Sequence, residues 1–207
     1  MFLKKALLKN LFQVLKNNMV EKTTVSEVLN NTQVINDPFP HMIIDDFLSE
    51  DAFKELANVV SNTHSGVKES ASVDNQIIID TRDTIEFPEF WNNWYDVFDS
   101  SEVKNILKQK YNIKEDFDNM RCDIHKCEPG FKLGRHNDVK KGHNRLLSLQ
   151  IYISENDSDN GVVLNDTKHI ENKPNRAWTF VSSPDSWHSV PNVTKTRHSV
   201  LMKYISY

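Results

Sequence analysis

The side chains best equipped for chemistry lie in the last third of the chain. They are His136 and Asp138 of His136-Asn137-Asp138, His188 fifty residues after the aspartate, and then Arg197 and Ser199. Two imidazoles and one carboxylate can hold a divalent transition ion such as ferrous iron by one face of an octahedron, which leaves the opposite positions open to other ligands. Open positions mark a catalytic ion rather than a structural one. The His-x-Asp spacing suits this task, because residues two apart on an extended strand project to one face and can reach the same ion. Arg197 and Ser199 repeat the spacing and offer a planar guanidinium and a hydroxyl, donors that suit an anionic co-substrate. A lone His-x-Asp pair is common, and histidine more often serves as a surface or hydrogen-bonded group. The weight therefore rests on the order of all five residues.

The residues around them are more specific. Pro129-Gly130-Phe131-Lys132-Leu133-Gly134-Arg135-His136-Asn137-Asp138 leads into Arg145-Leu146-Leu147-Ser148-Leu149-Gln150-Ile151-Tyr152, then Trp187-His188-Ser189-Val190 and Arg197-His198-Ser199. This pattern resembles the Fe(II)- and 2-oxoglutarate-dependent dioxygenases, above all the prolyl-4-hydroxylase-like branch, with its Pro-Gly-x-x-Leu-x-x-His-x-Asp run and a distal His followed by Arg-x-Ser. The likeness runs from about Phe39 onward, opening on Asp37 to Leu48, and is weakest between Asn62 and Asp118, where no motif is present.

The resemblance implies that His136, Asp138 and His188 bind Fe(II), that 2-oxoglutarate takes two of the open positions and that O2 takes the third. It implies hydroxylation of a C–H bond coupled to oxidative decarboxylation of 2-oxoglutarate to succinate and CO2. Arg197 would hold the distal carboxylate of the co-substrate, with Ser199 adding a hydroxyl. Related halogenases replace the metal-binding carboxylate by a small residue, so Asp138 points to hydroxylation. One departure is Cys127, which stands where many relatives carry a tyrosine that helps hold the co-substrate. That contact is in doubt, and His125, two residues earlier, is a candidate to replace it. The primary substrate is unidentified, with a prolyl residue of a peptide or protein as the best guess; amino acids, sugars, lipids and nucleobases stay open. Two other classes compete: a β-helix binding module without turnover, and a cupin-like metal protein that does not use 2-oxoglutarate. The complete ligand set and Arg197 with Ser199 argue against both.

These residues need a scaffold. A length of 207 residues suits one domain, divided here into a helical extension over 1–36 and a dioxygenase domain over 37–207. Within that domain 37–118 provides helical support and 119–207 the β core. The expected class is mainly β with flanking N-terminal helices, and the resemblance implies a double-stranded β-helix of jelly-roll, cupin-like form. Short apolar runs bounded by Gly, Pro, Asn and Asp predict strands over Met120–Cys127, Leu147–Ile153, Val162–Leu164, Ala177–Val181, His188–Val190 and Arg197–Ile205. Gln76–Asp80 reads as an earlier buried strand.

Thr24-Val25-Ser26-Glu27 has the spacing of a capping box and predicts a short helix to about Asn30. Ser49 followed by Glu50 and Asp51 predicts another, with Phe53, Leu56, Ala57 and Val60 on its inner face. Residues 62–74 are polar and aperiodic and read as a loop, a candidate lid. Pro88 suits the first turn of a helix carrying Phe90, Trp91, Trp94, Tyr95 and Phe98, an aromatic stripe that is core or, alternatively, a pocket wall. Ser101–Tyr111 predicts a further helix.

The formal charge of −4, from 25 basic and 29 acidic residues, argues against a broad electrostatic grip on nucleic acid. The two cysteines, Cys122 and Cys127, form neither a disulfide framework nor a zinc motif, which fits a cytoplasmic setting. Met1 to Lys16 reads as a basic amphipathic helix, with Lys4, Lys5, Lys9 and Lys16 among its apolar residues. Packing against its own domain or a partner is favoured over a membrane surface or an import signal. No run of eighteen apolar residues that could span a bilayer is present.

Overall fold

The computed structural model describes residues 20–68, 74–139, 144–154 and 157–207, with the backbone alone at 157–160. The amphipathic helix expected over Met1–Lys16 lies outside these residues, as do 69–73 in the middle of the expected loop. Two antiparallel sheets face one another. The larger has seven strands in the order β1 (His41–Ile44), β9 (Ala177–Val181), β6 (Asn144–Tyr152), β11 (Arg197–Ser206), β4 (Asn119–Cys127), β3 (Gln76–Asp80) and β2 (Val67–Lys68). The smaller has four, in the order β5 (Leu133–His136), β10 (His188–Val190), β7 (Asp157–Leu164) and β8 (Lys168–Asn172). The architecture is the expected mainly β jelly roll with N-terminal helices.

Strands β9 and β10 match their predicted bounds, and β4, β6 and β11 differ only at their ends. Three strands were not anticipated. β5 reads Leu-Gly-Arg-His and β8 reads Lys-His-Ile-Glu-Asn, and each has a single aliphatic residue, too few to show a period of two. The third, β2, falls inside the segment expected to be a loop and pairs with β3 through Val67 opposite Ile79.

Among the described residues, four helices cover the outer face of the large sheet. α1 (Lys22–Asn31) begins two residues before the expected cap, so the capping box is corrected: Glu21 precedes the helix without a side-chain cap bond, and Thr24 lies within it. Burial of Val25 and Leu29 places this short helix, in keeping with the rule that tertiary packing rather than local signals stabilises most helices. α2 (Glu50–Asn62) starts as predicted, with the Ser49 Oγ accepting from the Ala52 amide at 3.3 Å. α3 (Pro88–Phe98) has proline in its first turn, and α4 (Ser101–Tyr111) is capped by Ser100 and ends at Asn112, whose left-handed φ of 52° closes it.

The aromatic stripe of α3 is core. Phe90, Trp91, Trp94 and Phe98 are buried, and the Trp94 and Phe98 rings lie 4.5 Å apart. They share one apolar cluster with Met120, Cys122 and Ile124 of β4, with Leu147, Leu149 and Ile151 of β6, and with Val200, Met202 and Tyr204 of β11. From Leu147 on β6, and along β4 and β11, every second residue is thereby committed to the helices and those between point toward the small sheet; a bulge at Leu146 reverses the order at the start of β6 and turns Arg145 inward.

Candidate active site

A cavity of about 340 Å³ opens between the two sheets, within the usual size of small-molecule sites. The small sheet brings the two histidines together: His136 ends β5, His188 begins β10, and they are direct partners across the antiparallel ladder. Their ring centroids are 4.3 Å apart. Asp138 is not on the strand, contrary to the expectation for His-x-Asp. β5 stops at His136, and the carboxylate enters from the turn beyond it. The outcome is still convergent, because one ligand atom from each of His136, Asp138 and His188 lies within 4.8 Å of the others. Among the described residues no other group of His, Cys, Asp and Glu meets that condition.

The surroundings of these three side chains fit a metal ion. His136 Nδ1 is 2.8 Å from the Gly134 carbonyl, and His188 Nδ1 is 3.0 Å from that of Ser186. A ring N–H donated to a backbone carbonyl sets the tautomer and leaves Nε2 as the free lone pair that a metal needs. Burial lowers the pKa of His188 and keeps its imidazole neutral. Burial works the other way on Asp138, but the charge and hydrogen bond of the Arg145 guanidinium lead the groups that outweigh it and hold the carboxyl below its ordinary range. One carboxylate oxygen accepts from Arg145 at 2.7 Å and from the Ser148 hydroxyl at 3.4 Å. The other is available to an ion.

Arg197 lies on the inner face of β11 and lines the same cavity, although only 3% of it is exposed. Its Nη1 donates to the Gly161 carbonyl at 3.1 Å, and its guanidinium lies over the Tyr152 ring, 5.1 Å from the centroid. Ser199 is one layer deeper. Its Oγ accepts from Gln150 Nε2 at 2.8 Å, while Gln150 Oε1 accepts from Trp178 Nε1 at 2.9 Å, so Gln150 rather than Ser199 reaches the cavity wall. Four of the five predicted side chains thus face one space, with Ser199 behind it.

Tyr152 is fully buried next to Arg197. Its ring lies under the Arg197 guanidinium, and its buried hydroxyl neighbours Trp178 behind the cavity lining. Cys127 is the direct ladder partner of Arg197, and His125 lies two residues along β4; both line the cavity, and Gln76 donates toward each. Burial pushes the His125 imidazole down to about 3 and keeps it neutral. Arg135 stacks on Trp187 at 4.5 Å and pairs with Asp166 at 2.9 Å, away from the cavity lining. The residues that sequence reasoning missed are Arg145, Ser148, Gln150 and Lys203. Their only signal was an inward position on a strand, visible once the register is known.

Comparison with known proteins places the fold among solved structures. Residues 122–205 match the profile of the 2OG-Fe(II) oxygenase superfamily. No curated protein sequence matches the chain. Among solved structures, a prolyl-4-hydroxylase from Pseudomonas putida superposes with a TM-score of 0.65 at 17% identity, over 88% of this chain and 99% of that one. A prolyl hydroxylase from Trichoplax adhaerens, in complex with a hypoxia inducible factor peptide fragment, gives 0.63 at 18% identity, over 92% and 91%. The viral collagen prolyl hydroxylase of Paramecium Bursaria Chlorella virus-1, as its 2-oxoglutarate complex, gives 0.57 at 15% identity, over 80% and 94%. At such identities the structural likeness establishes the shared fold.

Proposed function

Because the β core of this chain carries the pattern of the 2OG-Fe(II) oxygenase superfamily and its fold is that of the prolyl-4-hydroxylase-like members, we propose that the protein is an Fe(II)- and 2-oxoglutarate-dependent hydroxylase. In this reading His136, Asp138 and His188 hold the ion, and Arg197, with Tyr152 beside it and Ser199 behind, anchors the distal carboxylate of 2-oxoglutarate. The observation that carries it is the convergence of the three ligand atoms within 4.8 Å of one another in a cavity that Arg197 also lines.

The protein's share of the reaction is placement. When bound, iron and 2-oxoglutarate supply the oxidative chemistry, and the products are succinate, CO2 and a hydroxylated substrate. The carbonyls of Gly134 and Ser186 keep both imidazoles in the metal-binding tautomer, and Arg145 holds the Asp138 carboxylate ionised. Arg197 offers a fork that matches a carboxylate in two parallel bonds, where lysine would give only a point charge. Trp178, Phe180 and Val162 line the cavity nearby and limit the access of water.

A prolyl residue of a peptide or protein is the substrate class best supported, through the fold shared with proteins named as prolyl hydroxylases. Mixing the anaerobic protein with Fe(II) and 2-oxoglutarate should give a visible metal-to-ligand charge-transfer band, and admitting air should release succinate. Asp138→Ala should abolish both, a larger effect than the roughly 10–100-fold loss typical of residues that only support metal ligands. A native protein that gives neither band nor succinate would sink the assignment. Proline-containing peptides that stimulate succinate release and gain one oxygen in mass would fix the substrate class.

A further inference from the structure

The cavity has a second cationic end that this chemistry does not use. The inward residues of β11 are Arg197, Ser199, Leu201 and Lys203, and at about 3.4 Å per residue Arg197 and Lys203 stand roughly 20 Å apart along the strand. Lys203 lines the same cavity as Arg197, and so does Arg145. Arg197 is assigned to the co-substrate, and Lys203 is too distant to share that duty.

The charges at this end are organised. Asp123 lies at the centre, with its carboxylate bonded to Lys203 through one oxygen and to Lys68 through the other at 2.6 Å. Lys68 also reaches Asp80 at 2.9 Å, and Arg82 pairs with Asp80 at 3.0 Å. Arg145 pairs with Asp138. Four cations therefore meet three carboxylates, and one of those, Asp138, is the proposed ligand of a doubly charged ion. The balance at this end is positive.

The donors are not exhausted. The bond to Asp138 uses one of the five N–H groups of Arg145, and the bond to Asp123 uses one of the three on Lys203. Turning two cationic heads into a space between sheets costs desolvation, and a hydrophobic replacement would serve a purely structural end at least as well. Ile78 and Leu201 line the wall nearby and provide apolar contact for a carbon skeleton.

We propose that Arg145 and Lys203 receive a carboxylate of the primary substrate, so that the oxidised carbon belongs to a molecule or residue carrying a carboxylate close to it. This rests on the reading of the cavity as a 2-oxoglutarate oxygenase site and adds the substrate's charge to it. The carboxylate has two sources, the free acid of a small molecule or the side chain of an acidic residue in a peptide.

The test uses the full chain with Fe(II), 2-oxoglutarate and two matched pairs of probes. N-acetyl-L-proline is compared with N-acetyl-L-prolinamide, and acetyl-Pro-Glu-amide with acetyl-Pro-Gln-amide. In at least one pair the acid should stimulate succinate release at a tenfold or more lower concentration than its neutral partner. A preference in the first pair identifies a small acid, and one in the second an acidic peptide. In Lys203→Met the acid-to-neutral ratio should fall toward one. The ratio is read within each protein, so a general loss of turnover does not imitate the effect. If Lys203→Met fails to fold because Asp123 has lost a partner, Lys203→Met with Asp123→Asn removes both charges and takes its place. Equal responses within both pairs, a preference for the neutral members, or silence of all four probes overturns the inference while leaving the oxygenase reading intact. A native protein without the charge-transfer band removes both.

Discussion

The two faces of the seven-stranded sheet are built from the same strands and have little chemistry in common. On β4, β6 and β11 the outer residues are Met120, Cys122, Ile124, Leu147, Leu149, Ile151, Val200, Met202 and Tyr204, all buried against the helices. The inner residues include Asp123, His125, Cys127, Ser148, Gln150, Arg197 and Lys203, all lining the cavity apart from Asp123, which bonds to Lys203 behind it. Apolar burial at about 25 cal/mol per Å² makes the outer face the source of stability. The inner face costs stability, because each buried charge or amide needs a partner. It meets that need with internal pairs, Lys203 with Asp123 and Gln150 with Ser199 and Trp178. A period of two lets one strand carry both sets independently. Fold and chemistry are thus separable by residue parity, apart from the start of β6, where a bulge turns Arg145 inward.

That separation can be broken by substitution, and the largest effect is expected on the helix side. Trp94 is fully buried among Phe90, Trp91 and Phe98. Trp94→Ala should cost about 3–5 kcal/mol by denaturant titration, while the charge-transfer band per folded molecule stays as in the native protein. A folded variant without the band would show that the two faces are coupled.

The converse substitution is Arg197→Ala. Losing one partner of a buried charge-assisted contact is worth about 2–5 kcal/mol, so the 2-oxoglutarate concentration for half-maximal succinate release should rise by roughly 30-fold or more. Unfolding stability should fall by less than in Trp94→Ala, because the lost bond to the Gly161 carbonyl is partly offset by removal of a buried cation's desolvation cost. An unchanged 2-oxoglutarate requirement in steady-state kinetics would take Arg197 out of the site.

The smallest effect concerns pH. Burial holds His125 at about 3, against roughly 6.5 for an unfolded histidine. The folded value is the lower one, so below 6.5 the unfolded chain takes up the proton first. The stability contribution is complete above 6.5 and is lost as the pH falls toward 3. Between pH 7 and 5 the metal-free protein should lose about 2 kcal/mol through this group, and His125→Gln should flatten the stability curve by that amount. His41, His188 and His198 are lowered by burial in the same direction, so some slope will persist. An identical slope in the variant would show that His125 is accessible to protons in the folded state.

Much of the candidate site was legible because its residues are rare in that order: His136, Asp138, His188 and Arg197, named from type and spacing, line one cavity. The α3 and α4 helices were legible because their apolar spacing is regular and their ends carry turn or cap residues, β9 because it is a short apolar run, and β10, with one aliphatic residue, only from the turn residues that flank it. The strands β2, β5 and β8 were not, since a two-residue pair or a single aliphatic in a polar run has no measurable period. The helix cap at Thr24 misled for the opposite reason: a correct local signal was overruled by the packing of Val25 and Leu29.

What the residues determined by themselves is the kind of chemistry and the class of fold, because ligand types, turn formers and alternation are local properties of a chain. Only the tertiary structure decided that Asp138 reaches the histidines from a turn, that Ser199 stands behind Gln150, and that Lys203 and Arg145 join Arg197 around one cavity. Those facts depend on which strands become neighbours and in what register, and register is set by long-range burial over the whole sheet rather than by any short run of residues.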